Sequence, residues 1–124
     1  MSGPIEQRIE VDVVDMYRNT VKYFDAFSAM DLPVLEDLYA KNIYLRDWEG
    51  TYVGATAVLN ANKQLFDNVD ALVIRPTLMH CDEDALTVIA EIEIMIAGAE
   101  QLLVADIIEF NSQGKIRSIR AYKG

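Results

Sequence analysis

QLLVADIIEFNSQGKIRSIRAY, residues 101–122, carries the reading on which the fold turns. Residues 101–110 are β-branched and aliphatic and run into Asn111-Ser112-Gln113-Gly114, so they predict a strand followed by a tight turn. Strand side chains alternate between faces, which puts Asp106 on the face of Leu102, Val104, Ile108 and Phe110. A carboxylate among such neighbours is expensive unless it is paired or protonated. Either a buried partner satisfies Asp106, or the position serves chemistry.

Working outward, the same period of two holds through ALVIRPTLMH (71–80), ALTVIAEIEIMI (85–96) and KIRSIRAY (115–122). Turn-like CDED, AGAE and NSQG separate these strands. Upstream the period is helical. A helix is predicted from about Pro4 to Ala29, with Ile9, Val13, Met16, Tyr17, Tyr23, Phe24 and Phe27 on its apolar face. Asp31 reads as the N-cap of a second helix that has Pro33 in its first turn and reaches Ala40. A short strand over Ile43–Trp48 leads into the turn DWEG (47–50), and a third helix covers Ala55–Phe66. Helices first and an antiparallel meander after them predict an α+β domain, helices on one face of the sheet. A strongly curved sheet around three helices forms a cone whose apolar interior suits a small ligand.

The bulk numbers bound the rest. With 124 residues the chain is long enough for one domain, here residues 1–124. A hydrophobic content of 52% with 25% charged residues describes a globular chain. The net charge of −9 argues against nucleic acid and anionic membrane as partners. The single Cys81 forms no intrachain disulfide, and the N-terminus lacks a basic-then-apolar signal pattern. Together these predict a cytoplasmic protein.

Register decides what surrounds Asp106. Pairing Phe110 with Lys115 across the four-residue turn predicts Asp106 beside Ile119, with Ala121 and Lys123 on the same face. For the preceding hairpin, one register brings Glu91 and Glu93 to that face, and the other brings Val88, Ala90, Ile92 and Ile94. Three carboxylates on an enclosed face would oppose one another's ionisation. The aliphatic register is therefore expected, with Glu91 and Glu93 outside. Asp106 then stands alone in an apolar wall, its pKa raised by desolvation.

ADIIEFNSQGKIRSIRAY (105–122) resembles the last hairpin of the bacterial Δ5-3-ketosteroid isomerases, of the NTF2-like, SnoaL-like superfamily. VKYFDAFSAMDLPVLEDLYAKNIYLRDWEG (21–50) is similar to that family's first two helices and first strand. The resemblance covers about residues 12–123 and implies an NTF2-like (cystatin-like) cone, three N-terminal helices on a curved, mostly antiparallel sheet. It implies a catalytic base at Asp47 and two oxyanion donors, Tyr23 and a protonated Asp106. Tyr39 matches a tyrosine that buttresses the oxyanion tyrosine. Asn62 stands where a further buttressing tyrosine is found, Lys123 where a pocket aromatic is found, and Trp48 where a proline often follows the base. The implied pocket is walled by Tyr39, Asn62, Val88, Ala90 and Ile92, and by Leu102, Val104, Ile119, Ala121 and Lys123.

The resemblance also implies allylic isomerisation of a small, steroid-like enolisable ketone without a cofactor, and a homodimer formed through the outer sheet face. Without it, Tyr23 reads as a core tyrosine and Asp47 as a turn residue. His80, the one histidine, ends a strand beside a polar turn and belongs to no metal-ligating pattern. Other enzymes on this fold, whether cyclase, dehydratase or epoxide hydrolase, would place a His-Asp pair or an Asp-Arg-Asp set inside the cone. A non-catalytic relic would have a collapsed cavity, or Asp106 tied to Arg120.

Overall fold

The computed structural model describes residues 11–124. Its order is α1 (Val13–Ser28), α2 (Leu32–Leu38), β1 (Tyr39–Arg46), β2 (Thr51–Val53), α3 (Ala55–Asp67), β3 (Leu72–Asp82), β4 (Thr87–Ile96), β5 (Leu102–Phe110) and β6 (Ile116–Lys123). The six strands form one curved sheet in the order β2-β1-β6-β5-β4-β3, antiparallel throughout except where β1 runs parallel to β6. The α+β expectation of three helices packed on a mostly antiparallel sheet holds.

Boundaries moved where local backbone chemistry outweighed periodicity. The first helix was expected from Pro4, which lies outside the described residues. Its described start is Asp12, an extended N-cap that closes a capping box with Asp15. At α2 the Asp31 carboxylate accepts from the Val34 N–H, as the cap reading requires. That helix ends at Leu38 rather than Ala40, because Tyr39 turns extended (ψ 137°) and opens β1. β1 therefore starts four residues before the expected Ile43. β2 was not expected; three residues are too few to show a period.

The core is the layer between the helices and the inner sheet face. Phe24 and Met16 of α1, Leu35 of α2 and Val58 of α3 meet Ile108, Phe110, Ile116 and Ile119, all essentially inaccessible to solvent. Phe110→Ala should lower the unfolding free energy by about 3–5 kcal/mol. Urea denaturation measures this, and a loss under about 1 kcal/mol would contradict the tight packing seen at Phe110.

The β4–β5 pairing sets Ala90 against Asp106 and Ile92 against Val104, the aliphatic register. Glu91 and Glu93 fall on the outer face, where Glu93 meets Arg75 at 2.6 Å. The β5–β6 hairpin differs from expectation. Phe110 pairs with Ile116 but Glu109 with Ser118, so Arg117 is an extra residue in β6. Asp106 consequently faces Ala121, not Ile119, which pairs with Ile108. The bulge also lets both Ile116 and Ile119 point into the core although two residues separate them. Gly114 (φ 81°) closes the turn in a conformation that favours glycine, and Asn19 of α1 donates to its carbonyl at 3.1 Å.

Candidate active site

The sheet and the helices enclose a cavity of about 310 Å³, at the lower end of small-ligand pockets. Its wall is mostly aliphatic: Leu72 and Ile74 from β3, Ile92, Ile94 and Ile96 from β4, Leu102 and Val104 from β5, Ile119 and Ala121 from β6. Against this wall the fold gathers Tyr23, Asp47 and Asp106 in one cavity, from α1, the β1–β2 loop and β5.

Asp106 is 5% exposed and stands between two alanines, Ala90 and Ala121, on the neighbouring strands. Small flanking side chains leave space around the carboxyl without offering it a partner. Burial, and secondarily the charge of Asp47, raise its pKa to about 7. The two arginines of β6 do not reach it: Arg117 and Arg120 bind the two oxygens of Glu109 at 2.8 and 2.7 Å. Because Glu109 is paired with Ser118 on the opposite side of β5, this cluster lies behind the wall.

That pKa makes a stability prediction. Below pH about 4 the carboxyl is protonated both folded and unfolded, and stability is intact. As pH rises toward about 7 the unfolded chain ionises freely while the folded chain resists, so stability falls, levelling off above the folded pKa. Asp106→Asn should therefore become progressively more stable than wild type between pH about 4 and 7. The total is on the order of 4 kcal/mol. Denaturant titrations across that range test it; a gap independent of pH would mean a carboxyl in contact with water.

Tyr23 is 6% exposed and sits in an aromatic cluster, its ring 5.4 Å from Phe24, 5.9 Å from Phe27 and 6.3 Å from Tyr39. Burial raises its pKa well above the usual phenol range, reinforced by Tyr39, Asp106 and Asp47, so the hydroxyl keeps its proton. Tyr39 does not buttress it as expected. The Tyr39 hydroxyl donates instead to Asn62 Oδ1 at 2.7 Å.

Asp47 is a turn residue and a cavity residue together. Its Oδ1 accepts from the N–H groups of Glu49 (2.8 Å) and Gly50 (3.1 Å), while its own N–H donates to the Gly50 carbonyl. This turn fixes the carboxylate at the end of β1, where it lines the cavity.

Of the expected wall residues, Asn62, Ile92, Leu102, Val104, Ile119 and Ala121 line the cavity. Tyr39, Val88 and Ala90 do not; they are buried in the layer behind it. Lys123 is exposed, and its ammonium lies 5.7 Å from the Trp48 ring, so the side chain caps an aromatic at the rim instead of entering the pocket. Trp48, Glu49 and Tyr52 at the mouth, and Phe27, Ala61 and Leu65 from the helices, were missed. The helical ones follow the same face as Tyr23 and Asn62 and could have been found from that spacing; the loop residues carry no such signal.

Residues 20–119 match the SnoaL-like domain family. A comparison with curated protein sequences gives no match. Among solved structures, a protein of unknown function with a cystatin-like fold from Methylobium petroleophilum PM1 superposes with a TM-score of 0.83 at 16% identity, over 93% of this chain and 79% of that one. A Kribbella flavida DSM 17836 protein provisionally assigned as a ketosteroid isomerase gives 0.78 at 15%, over 89% and 78%. An LEH-like epoxide hydrolase of M. tuberculosis gives 0.78 at 14%, over 90% and 84%. At these identities the likeness establishes the NTF2-like fold and leaves the reaction open. With four-fifths of its length matched and its fold shared, the chain belongs to the SnoaL-like domain family.

Proposed function

We propose that the protein is a cofactor-free isomerase of the ketosteroid type, acting on a small, steroid-like enolisable ketone. The observation that carries this is Asp106, a buried carboxyl with a pKa near 7 that shares one apolar cavity with Asp47 and Tyr23. The Asp47 carboxylate removes a proton from the carbon beside the carbonyl. The electron pair moves into a dienolate, and the same carboxyl returns the proton two carbons along, so the reaction balances with no other reactant. Tyr23 and neutral Asp106 donate hydrogen bonds to the oxygen as charge develops on it. With Asp47 Oδ1 engaged by two amides, Oδ2 is left to carry the proton.

An epoxide hydrolase or cyclase with an Asp-Arg-Asp set is supported less well, since Arg117 and Arg120 are held by Glu109 behind the wall. An empty relic is disfavoured by the open cavity and by an Asp106 free of Arg120. Val73, Leu78, Ile89, Leu103 and Tyr122, exposed on the outer sheet face, support a homodimer contact there. Among the described residues no helix is long and apolar enough to cross a membrane; the single Cys81 supports a cytoplasmic setting.

The test is direct. Purified protein is mixed with 5-androstene-3,17-dione and the conjugated enone absorbance is followed. Enzyme-dependent conversion is the expected result; its absence, together with no binding of a planar phenol, would overturn the reading.

A further inference from the structure

Among the described residues Asn62 is the one amide side chain in the cavity wall, and nine-tenths of it is buried. Its two ends are not equivalent. Oδ1 is taken by the Tyr39 hydroxyl, a buried phenol whose pKa burial raises and which therefore remains a donor. That bond orients the amide and commits Nδ2, with two N–H donors, to the other side. Among the described residues Nδ2 has no protein partner, yet it is not sealed off, because Asn62 borders the cavity. Water can meet this donor in the empty cavity, but a bound ligand that displaces the water must offer an acceptor there or leave the donor unmet at a cost.

We infer that Asn62 is a specificity-determining residue whose amide donates to a second oxygen on the ligand, distinct from the carbonyl oxygen held by Tyr23 and Asp106. The inference deepens the isomerase reading and rests on it for the position of the first oxygen. Tyr39 bonds to Asn62 and packs 6.3 Å from the Tyr23 ring, so the second oxygen belongs to the buried, Tyr23 side of the ligand and not to the rim at Trp48. Apart from Tyr23, Asp47 and Asp106, and from Trp48, Glu49 and Tyr52 at the mouth, the rest of the described wall is apolar and offers nothing to a polar tail. The substrate class is thus an apolar ketone carrying a hydroxyl, alkoxy or second keto oxygen near the reacting carbonyl. A hydrocarbon ketone with a single oxygen would leave the Asn62 donors unmet.

Binding separates these classes without turnover. The probes are 2-naphthol, with one oxygen, and 2,3-dihydroxynaphthalene, with two adjacent oxygens on the same frame. Trp48, the single tryptophan and a cavity-lining residue, reports occupancy by its fluorescence. Asn62→Leu, close to isosteric and without donors, should weaken the diol about tenfold and the naphthol less than about twofold. Should that variant fail to fold, Asn62→Ala removes the amide without adding apolar bulk and is expected to give the same ratio. Tyr39→Phe, which releases the amide but keeps its donors, should cost the diol less than either. Equal losses for the two phenols would make Asn62 merely structural and overturn the inference, as would failure of wild type to bind either. The isomerase reading fails separately, if naphthol binding is indifferent to Tyr23→Phe and to Asp106→Ala.

Discussion

Asp47→Asn is expected to slow conversion of 5-androstene-3,17-dione by about two to four orders of magnitude, the loss typical of removing a positioned general base. The substitution is well suited to the question. Asparagine retains an Oδ1 that can accept from the Glu49 and Gly50 amides, so the turn at the end of β1 should survive. What disappears is the basic oxygen. A large fall in kcat with an unperturbed circular dichroism spectrum would assign the base to this carboxylate. Near-normal turnover would remove Asp47 from the chemistry and leave the fold untouched.

Tyr23→Phe is expected to lower kcat by about two to three orders of magnitude while changing KM little, because the hydroxyl acts on charge that is present only in the transition state. Phenylalanine preserves the stacking with Phe24, Phe27 and Tyr39, so the packing of α1 should hold. Steady-state kinetics divide the possibilities: a raised KM at constant kcat would make Tyr23 a ground-state binding residue only. Asp106 remains as a second donor in the Tyr23→Phe enzyme, which is why the loss should stay below that of the base.

The order of the elements other than β2 was legible because those strands and helices express their periods or caps. So was the aliphatic register beside Asp106, since the competing one required three carboxylates on one enclosed surface. What escaped was short or local. β2 is three residues long, and among the described residues its one partner strand is β1. The start of β1 at Tyr39 depends on one backbone dihedral following a helix. The bulge at Arg117 could not be read from alternation, because residues 118–122 alternate equally well from either neighbouring register. For the site, Asp106 announced itself as an anomaly in an aliphatic run. Tyr23 and Asp47 did not, since each also satisfies an ordinary structural role, and they entered through resemblance. Lys123 was misplaced for a further reason: counting by twos along β6 keeps it on the inner face, but the strand ends there and a long ammonium side chain finds water and the Trp48 ring.

The extra residue in β6 bears on how this scaffold can change its chemistry over evolutionary time. Were the ladder to continue from Phe110–Ile116 without interruption, the residue opposite Asp106 would be Arg120 instead of Ala121. A carboxyl beside a guanidinium ionises and becomes a salt-bridged strut, no longer able to donate a proton to an oxyanion. Two pairings of one hairpin thus encode two different sites in one sequence. A descendant could lose acid chemistry, or an ancestor gain it, by backbone slippage alone, because the slip that brings Arg120 in turns Ile119 and Ala121 out of the pocket without a single substitution.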